Sequence, residues 1–82
     1  MEKAIGKITH FFPKIGVAVV ELSEELCAGD EILVKGRVTN FRQPASSMES
    51  EHKRLEKASA GMSIGMKVDK SVEKGDIVYK IM

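Results

Sequence analysis

The sequence predicts an all-β fold, a small closed, mainly antiparallel β-barrel, and two observations carry that expectation. First, three times a glycine turn runs into a short apolar strand ending on lysine: Ala28-Gly29-Asp30-Glu31-Ile32-Leu33-Val34-Lys35, Ala60-Gly61-Met62-Ser63-Ile64-Gly65-Met66-Lys67 and Lys74-Gly75-Asp76-Ile77-Val78-Tyr79-Lys80. Glycine tolerates the positive φ that tight strand entries need, and branched side chains favour the pleated backbone that follows. Second, the carboxyl half alternates. Ile64, Met66 and Val68 stand against Ser63, Gly65 and Lys67, then Ile77, Tyr79 and Ile81 against Val78 and Lys80. A barrel of about six or seven strands follows, filled by inward side chains such as Ile32, Val34, Ile64, Met66 and Ile77.

From the amino end, the β-prone run Lys3 to Phe12 forms a first strand, stopped by Pro13, which has no amide hydrogen for a ladder. Ile15 to Leu22 is nearly continuously apolar and reads as a strand packed on both sides, joined to the first by the turn Phe12-Pro13-Lys14. Ser23-Glu24-Glu25-Leu26 is an acidic connector to the first glycine unit. Lys35-Gly36 breaks the chain, and a fourth strand covers Arg37 to Phe41.

Ser46 to Ser59 reads two ways. Ser46-x-x-Glu49 has the form of a capping box and Glu51 to Ala58 is rich in helix formers. A helix here carries only Met48, Leu55 and Ala58 on its apolar face, a thin stripe for docking. The alternative is a strand at Met48 to Lys53, followed by a loop or a single helical turn.

An 82-residue chain is expected to be one domain, residues 1–82. A domain of this size buries only ~60% of its unfolded surface, with one core and no room for a deep catalytic cleft. Thirteen Lys+Arg against twelve Asp+Glu leave a net charge of +1, so bulk charge attracts neither nucleic acid nor acidic membrane. The lone Cys27 cannot form an internal disulfide, and no amino-terminal apolar run has signal-peptide or membrane-span length, so the expected location is cytoplasmic with no membrane contact. Glu24 and Glu25 precede Cys27 and disfavour its thiolate, which makes it a structural residue.

Catalytic and metal signatures are missing. His10 and His52 with one cysteine lack the paired spacing of zinc sites. Ser46, Ser47 and Ser50 lie near His52 in sequence, but no oriented base or oxyanion cradle is encoded. The chain is read as no enzyme, with no metal and no cofactor. His10 beside Phe11 and Phe12 is a hairpin-rim residue or, more sharply, part of a base-stacking platform.

The basic residues offer the remaining lead. Lys35, Arg37, Arg42, His52, Lys53, Arg54 and Lys57 cluster mid-chain, with Phe41 among them and Glu49, Glu51 and Glu56 interleaved. If Lys35 to Arg42 paired with Met48 to Lys57, they would build one basic-leaning face with an aromatic, suited to RNA or protein. The candidate binding residues are Arg37, Phe41, Arg42, Glu49 and His52. Phe41 has an alternative role in the core.

The residues Gly29 to Gly36, Met48-Glu49 with Leu55, Ala60-Gly61-x-x-Ile64-Gly65 and Val72 to Val78 together resemble the second domain of translational GTPases such as elongation factor Tu. Lys35 to Gln43 and Ser47 to His52 resemble more closely the small proteins called translation elongation factor-like, and similar barrels end some peptidase family U32 proteins. The resemblance implies a closed barrel of the translation-factor domain 2 type and tips Met48 to Lys53 toward strand. It also implies contacts for the acceptor end of aminoacyl-tRNA at Glu49 and His52, with Ser63 at a third position. There is no Gly-x-x-x-x-Gly-Lys-Ser/Thr loop, so no nucleotide is bound by this chain alone. The acidic Ser23-Glu24-Glu25 repels a phosphate backbone rather than guiding it. The expected function is therefore a non-catalytic binding module associated with RNA or the translation apparatus. The alternative is a protein-interaction subunit that docks on a separate enzyme or GTPase.

Overall fold

The computed structural model describes residues 1–82, in ten strands and no helix. The strands are β1 (Glu2–Phe12), β2 (Val17–Leu22), β3 (Leu26–Cys27), β4 (Glu31–Lys35), β5 (Asn40–Pro44), β6 (Met48–Ser50), β7 (Lys53–Leu55), β8 (Lys57–Ala58), β9 (Ser63–Lys67) and β10 (Ile77–Ile81). Eight of them form one sheet in the order β5-β4-β10-β1-β2-β9-β6-β7, and β3 pairs with β8 separately. Every pairing is antiparallel. No ladder joins β5 to β7, so the sheet's hydrogen bonding does not close on itself as a complete barrel's does.

The glycine units are one turn used three times. In Cys27–Asp30 the Asp30 N–H donates to the Cys27 carbonyl over 3.1 Å, and the Cys27 N–H donates back to Asp30 Oδ2 over 2.9 Å. Glu73–Asp76 repeats this at 3.0 and 2.8 Å. Ser59–Met62 repeats it with a sulfur acceptor, the Met62 Sδ taking the Ser59 N–H over 3.3 Å. The third residue of each is glycine at φ +92°, +98° and +89°, the position a type II turn reserves for it.

Register decides which side chains enter the core. Phe41, Val34, Val78, Gly6 and Leu22 stand directly opposite one another across β5, β4, β10, β1 and β2, and all are buried. Directly opposed residues share a sheet face, so this row is the core's spine. Ile8, Val20 and Ile64 form a second row. Gly6 keeps the spine close, since a Cβ there would stand 2.9 Å from Val20 Cγ1 and 3.0 Å from the Glu21 carbonyl oxygen.

Ile32, Val34, Ile64 and Met66 point inward as expected, and Val68 joins them. Ile77 does not: it is half-buried while Val78 is fully buried. The Gly75-Asp76 turn sets β10 so that Val78 opposes Val34, which reverses the expected parity. β2 buries Ala18, Val20 and Leu22 on one face and leaves Val17 and Val19 half-buried on the other, so it is not packed equally on both sides, and Ile15 lies in the turn. The fourth strand begins at Asn40 rather than Arg37, because Gly36 and Thr39 close a tight turn through the Gly36 N–H to Thr39 carbonyl bond of 2.8 Å.

The ambiguous stretch is strand, not helix. β6 and β7 form a hairpin whose two turn residues, Glu51 and His52, have φ of 51° and 65°. Two successive positive φ values define a type I′ turn, whose twist matches paired strands. The helical alternative fails because Met48 is fully buried while Leu55, opposite it, is half-buried, a pattern set by cross-strand pairing rather than helical periodicity.

Candidate functional site

The solvent-facing side of the sheet carries a second continuous row. His10, Val19, Gly65, Glu49 and Arg54 stand directly opposite one another across β1, β2, β9, β6 and β7. Strand alternation adds Phe12 beside His10, their ring centroids 4.4 Å apart and tilted by 47°. Phe12 in turn opposes Val17, and Val17 opposes Lys67. Phe12 is 44% exposed.

Gly65 puts no side chain at the centre of this row. A Cβ there would meet Val17 Cγ1 at 3.5 Å and the Glu49 carbonyl oxygen at 3.9 Å, ordinary contact, and its φ is not positive. Neither packing nor backbone conformation demands glycine, in contrast to Gly6 and Gly36. A strand glycine free of both constraints marks a place where another group can approach the backbone. Around it the half-buried Val17 and Val19 lie in register, with His10 and Phe12 toward β1 and Glu49 toward β6.

The five residues expected to share one face are dispersed. Phe41 is 8% exposed and belongs to the core spine. Arg37 sits in the β4–β5 turn with its guanidinium 3.9 Å from Glu73. Arg42 lies on the outside of β5, 3.6 Å from Glu31. Glu49 is exposed on β6 within the outer row. His52 is exposed and occupies the second position of the type I′ turn, so its local role is backbone geometry. The condition that would have joined Lys35–Arg42 to Met48–Lys57 is not met: β5 pairs with β4 at one end of the sheet order, and β6 and β7 lie at the other.

The sequence reading missed Gly65 and Val19 as members of a site. Their signal was a small residue and an apolar one at outward positions of two strands that the linear sequence places far apart. Arg54 stands directly opposite Glu49, a pairing that the charge pattern alone does not reveal. No hydrogen bond joins a serine hydroxyl to either histidine, and no group of three or more His, Cys, Asp or Glu side chains is arranged to hold a metal ion. Lys57 is held above its ordinary value of 10.5 by a hydrogen bond from its ammonium to Glu25 and by that carboxylate's charge. No helix is long and apolar enough to cross a membrane.

No known family profile matches the chain. An uncharacterized protease of Methanocaldococcus jannaschii is 38% identical over 76 residues, a match covering 92% of this chain. The chain spans about a fifth, 19%, of that relative's length. Among solved structures, the C-terminal domain of a Geobacillus thermoleovorans protein assigned to the U32 peptidases superposes with a TM-score of 0.90 at 22% identity, over 98% of this chain and 93% of that one. The selenomethionine variant of the same domain gives 0.87 at 22% identity, over 93% and 96%. The fold is therefore that of a U32-type C-terminal domain.

Proposed function

We propose that this chain is a non-catalytic binding module that docks on a larger protein through the outer face of β1, β2, β9 and β6. The row His10, Val19, Gly65 and Glu49, with the exposed Phe12 beside it, is the observation that carries the reading. Apolar floor, an exposed aromatic and a polar rim are the ingredients of a protein-binding patch. Support for a protein partner comes from the archaeal relative, of which the matching region is about a fifth, and from the Geobacillus protein, where the same fold is a terminal domain. In this reading the protease activity named for the relative belongs to the rest of that protein.

The same proposal takes the sheet as a barrel of the translation-factor domain 2 type, sealed by a side chain where a ladder is missing. Gln43 of β5 reaches the chain at the end of β9, its Nε2 donating to the Lys67 carbonyl over 2.9 Å.

A second reading, contact with RNA of the translation apparatus, is favoured by the exposed His10–Phe12 pair with Lys67 close in register, and by the resemblance that assigns acceptor-end contacts to Glu49 and His52. Arg37 and Arg42 add less to it, since each has a glutamate nearby.

The test is chemical-shift mapping of the labelled chain against the archaeal relative lacking the shared region, and separately against bulk tRNA. Shifts at His10, Phe12, Val19, Glu49 and Gly65 with a shallow salt dependence support protein docking. Shifts on that face with tRNA and a steep salt slope support the second reading. Shifts confined to Glu21–Glu25 and Lys70–Lys74 with both partners overturn the proposed face.

A further inference from the structure

A groove of about 450 Å³ lies at the end of the outer row, bounded by the Ala28–Gly29 turn, the Pro44–Ser47 segment and the Arg54–Glu56 segment. This volume falls within the range of roughly 300–1,000 Å³ typical of ligand sites. Its walls are tied together: the Gly29 N–H donates to the Ala45 carbonyl and the Ala28 N–H to the Glu56 carbonyl, each over 2.8 Å. The groove is thus preformed.

Its polar groups are largely unengaged. Arg54 takes part in none of the five ion pairs. The Ser46 and Ser47 hydroxyls make no hydrogen bond within the chain, and the amides of both residues donate to no backbone carbonyl. Ser47 has a φ of 52°, so the segment turns at this residue beside the groove. Ala28, Ala45 and Leu55 supply apolar lining beside these donors. The one acidic side chain in the lining, Glu56, offsets the charge of Arg54. A site with that balance suits a single negative charge better than a dianion.

Backbone geometry adds an edge. β7 is the last strand of the sheet, and in a two-residue hairpin the pair next but one to the turn, here Glu49 and Arg54, is the non-hydrogen-bonded kind. The Arg54 N–H and carbonyl therefore face outward from the sheet, where an extended chain can pair with them.

From these groups we infer that the groove binds the free C-terminus of an extended peptide with an apolar last residue. The carboxylate meets the Arg54 guanidinium and the amides and hydroxyls of Ser46 and Ser47, and the last side chain lies against Ala45 and Leu55. Arginine suits a carboxylate because its planar fork donates two parallel hydrogen bonds. The occupant follows from charge complementarity with an unpaired arginine and from the apolar lining beside it. His10, Phe12, Glu49 and Gly65 of the docking face do not line the groove, so titration of the unaltered chain with peptide tests the groove apart from that face.

The experiment titrates the labelled chain with a hexapeptide ending in Val-Leu, once with a free carboxylate and once amidated, and with phenyl phosphate as the competing anion. Expected are saturable shifts at Ser46, Ser47, Arg54 and Leu55 with the free acid, and binding weakened about tenfold or more by amidation, the loss of one charge-assisted contact. Arg54→Gln is expected to weaken the free acid to the same degree, and Arg54→Lys to fall between. Equal affinity of acid and amide, tighter binding of phenyl phosphate, or no saturable shift in the groove overturns the proposal. The amide comparison uses the unaltered chain and holds even if a variant misfolds.

Discussion

Gln43 Oε1 accepts the backbone N–H of Asp69 over 2.7 Å, joining the edge strand β5 to the segment that leaves β9. The same amide donates Nε2 to the Lys67 carbonyl over 2.9 Å, and Gln43 is 2% exposed. One side chain thereby satisfies a backbone donor and a backbone acceptor that no strand serves. Gln43→Leu removes both partners and leaves the Asp69 N–H and the Lys67 carbonyl, both in part-buried bonds, without a protein partner. The expected cost is about 1–3 kcal/mol in total, read as a lower urea midpoint with an unchanged slope.

Phe41 stands opposite Val34 in the core spine, so its removal is a core truncation rather than a surface change. Phe41→Ala is expected to lose about 3–5 kcal/mol, a large share of the stability of so small a domain. Thermal unfolding measures it. A melting temperature unchanged by this substitution would contradict the burial of the ring.

Gly36 and Gly65 should respond oppositely to alanine. A Cβ at Gly36 overlaps the buried Asp76 carboxylate, whose Oδ2 takes the Glu73 N–H over 2.8 Å, so Gly36→Ala disturbs that turn and costs about 1–3 kcal/mol. A Cβ at Gly65 meets ordinary contacts. Gly65→Ala is expected to leave stability within about 0.5 kcal/mol while obstructing the outer face, and larger Gly65→Leu should abolish docking of the protein partner. Paired unfolding and binding measurements separate the two glycines.

Glu51 and His52 hold the two left-handed positions of the β6–β7 turn without being glycine. Residues in such conformations cost on the order of 1–3 kcal/mol each, and Asn-Gly is the pair best suited to a type I′ turn. Replacing Glu51-His52 by Asn-Gly is expected to stabilise the chain by about 1 kcal/mol or more. The check is the urea midpoint. Unchanged binding in the same variant would assign His52 to the turn rather than to a partner.

Much of the fold was legible because it is local. The three glycine turns need positive φ at the third residue, and Gly29, Gly61 and Gly75 announce that need in the sequence itself. Met48 to Lys53 was readable as extended chain, but the hairpin within it was not, because Glu51 and His52 are poor advertisements for a left-handed turn. The parity of β10 was misread since Ile77, Val78 and Tyr79 are all apolar, and such a run does not say which side faces in. The candidate face was least legible: the sequence allows Phe41 a surface or a core role, and only its pairing with Val34 in the spine decides for the core, while Arg37 lies in an exposed turn.

By itself the sequence determined the all-β class, the positions of the strand entries and the inward set Ile32, Val34, Ile64 and Met66, because turn chemistry and side-chain alternation act over a few neighbouring residues. Tertiary structure decided everything that depends on register between distant strands. It set Val78 rather than Ile77 against Val34, sent β5 and β7 to opposite ends of the sheet order, and brought His10, Val19, Gly65, Glu49 and Arg54 into one row. A shift of one residue in any ladder moves a whole strand's side chains to the other face, and that choice is made by the packing of the assembled core.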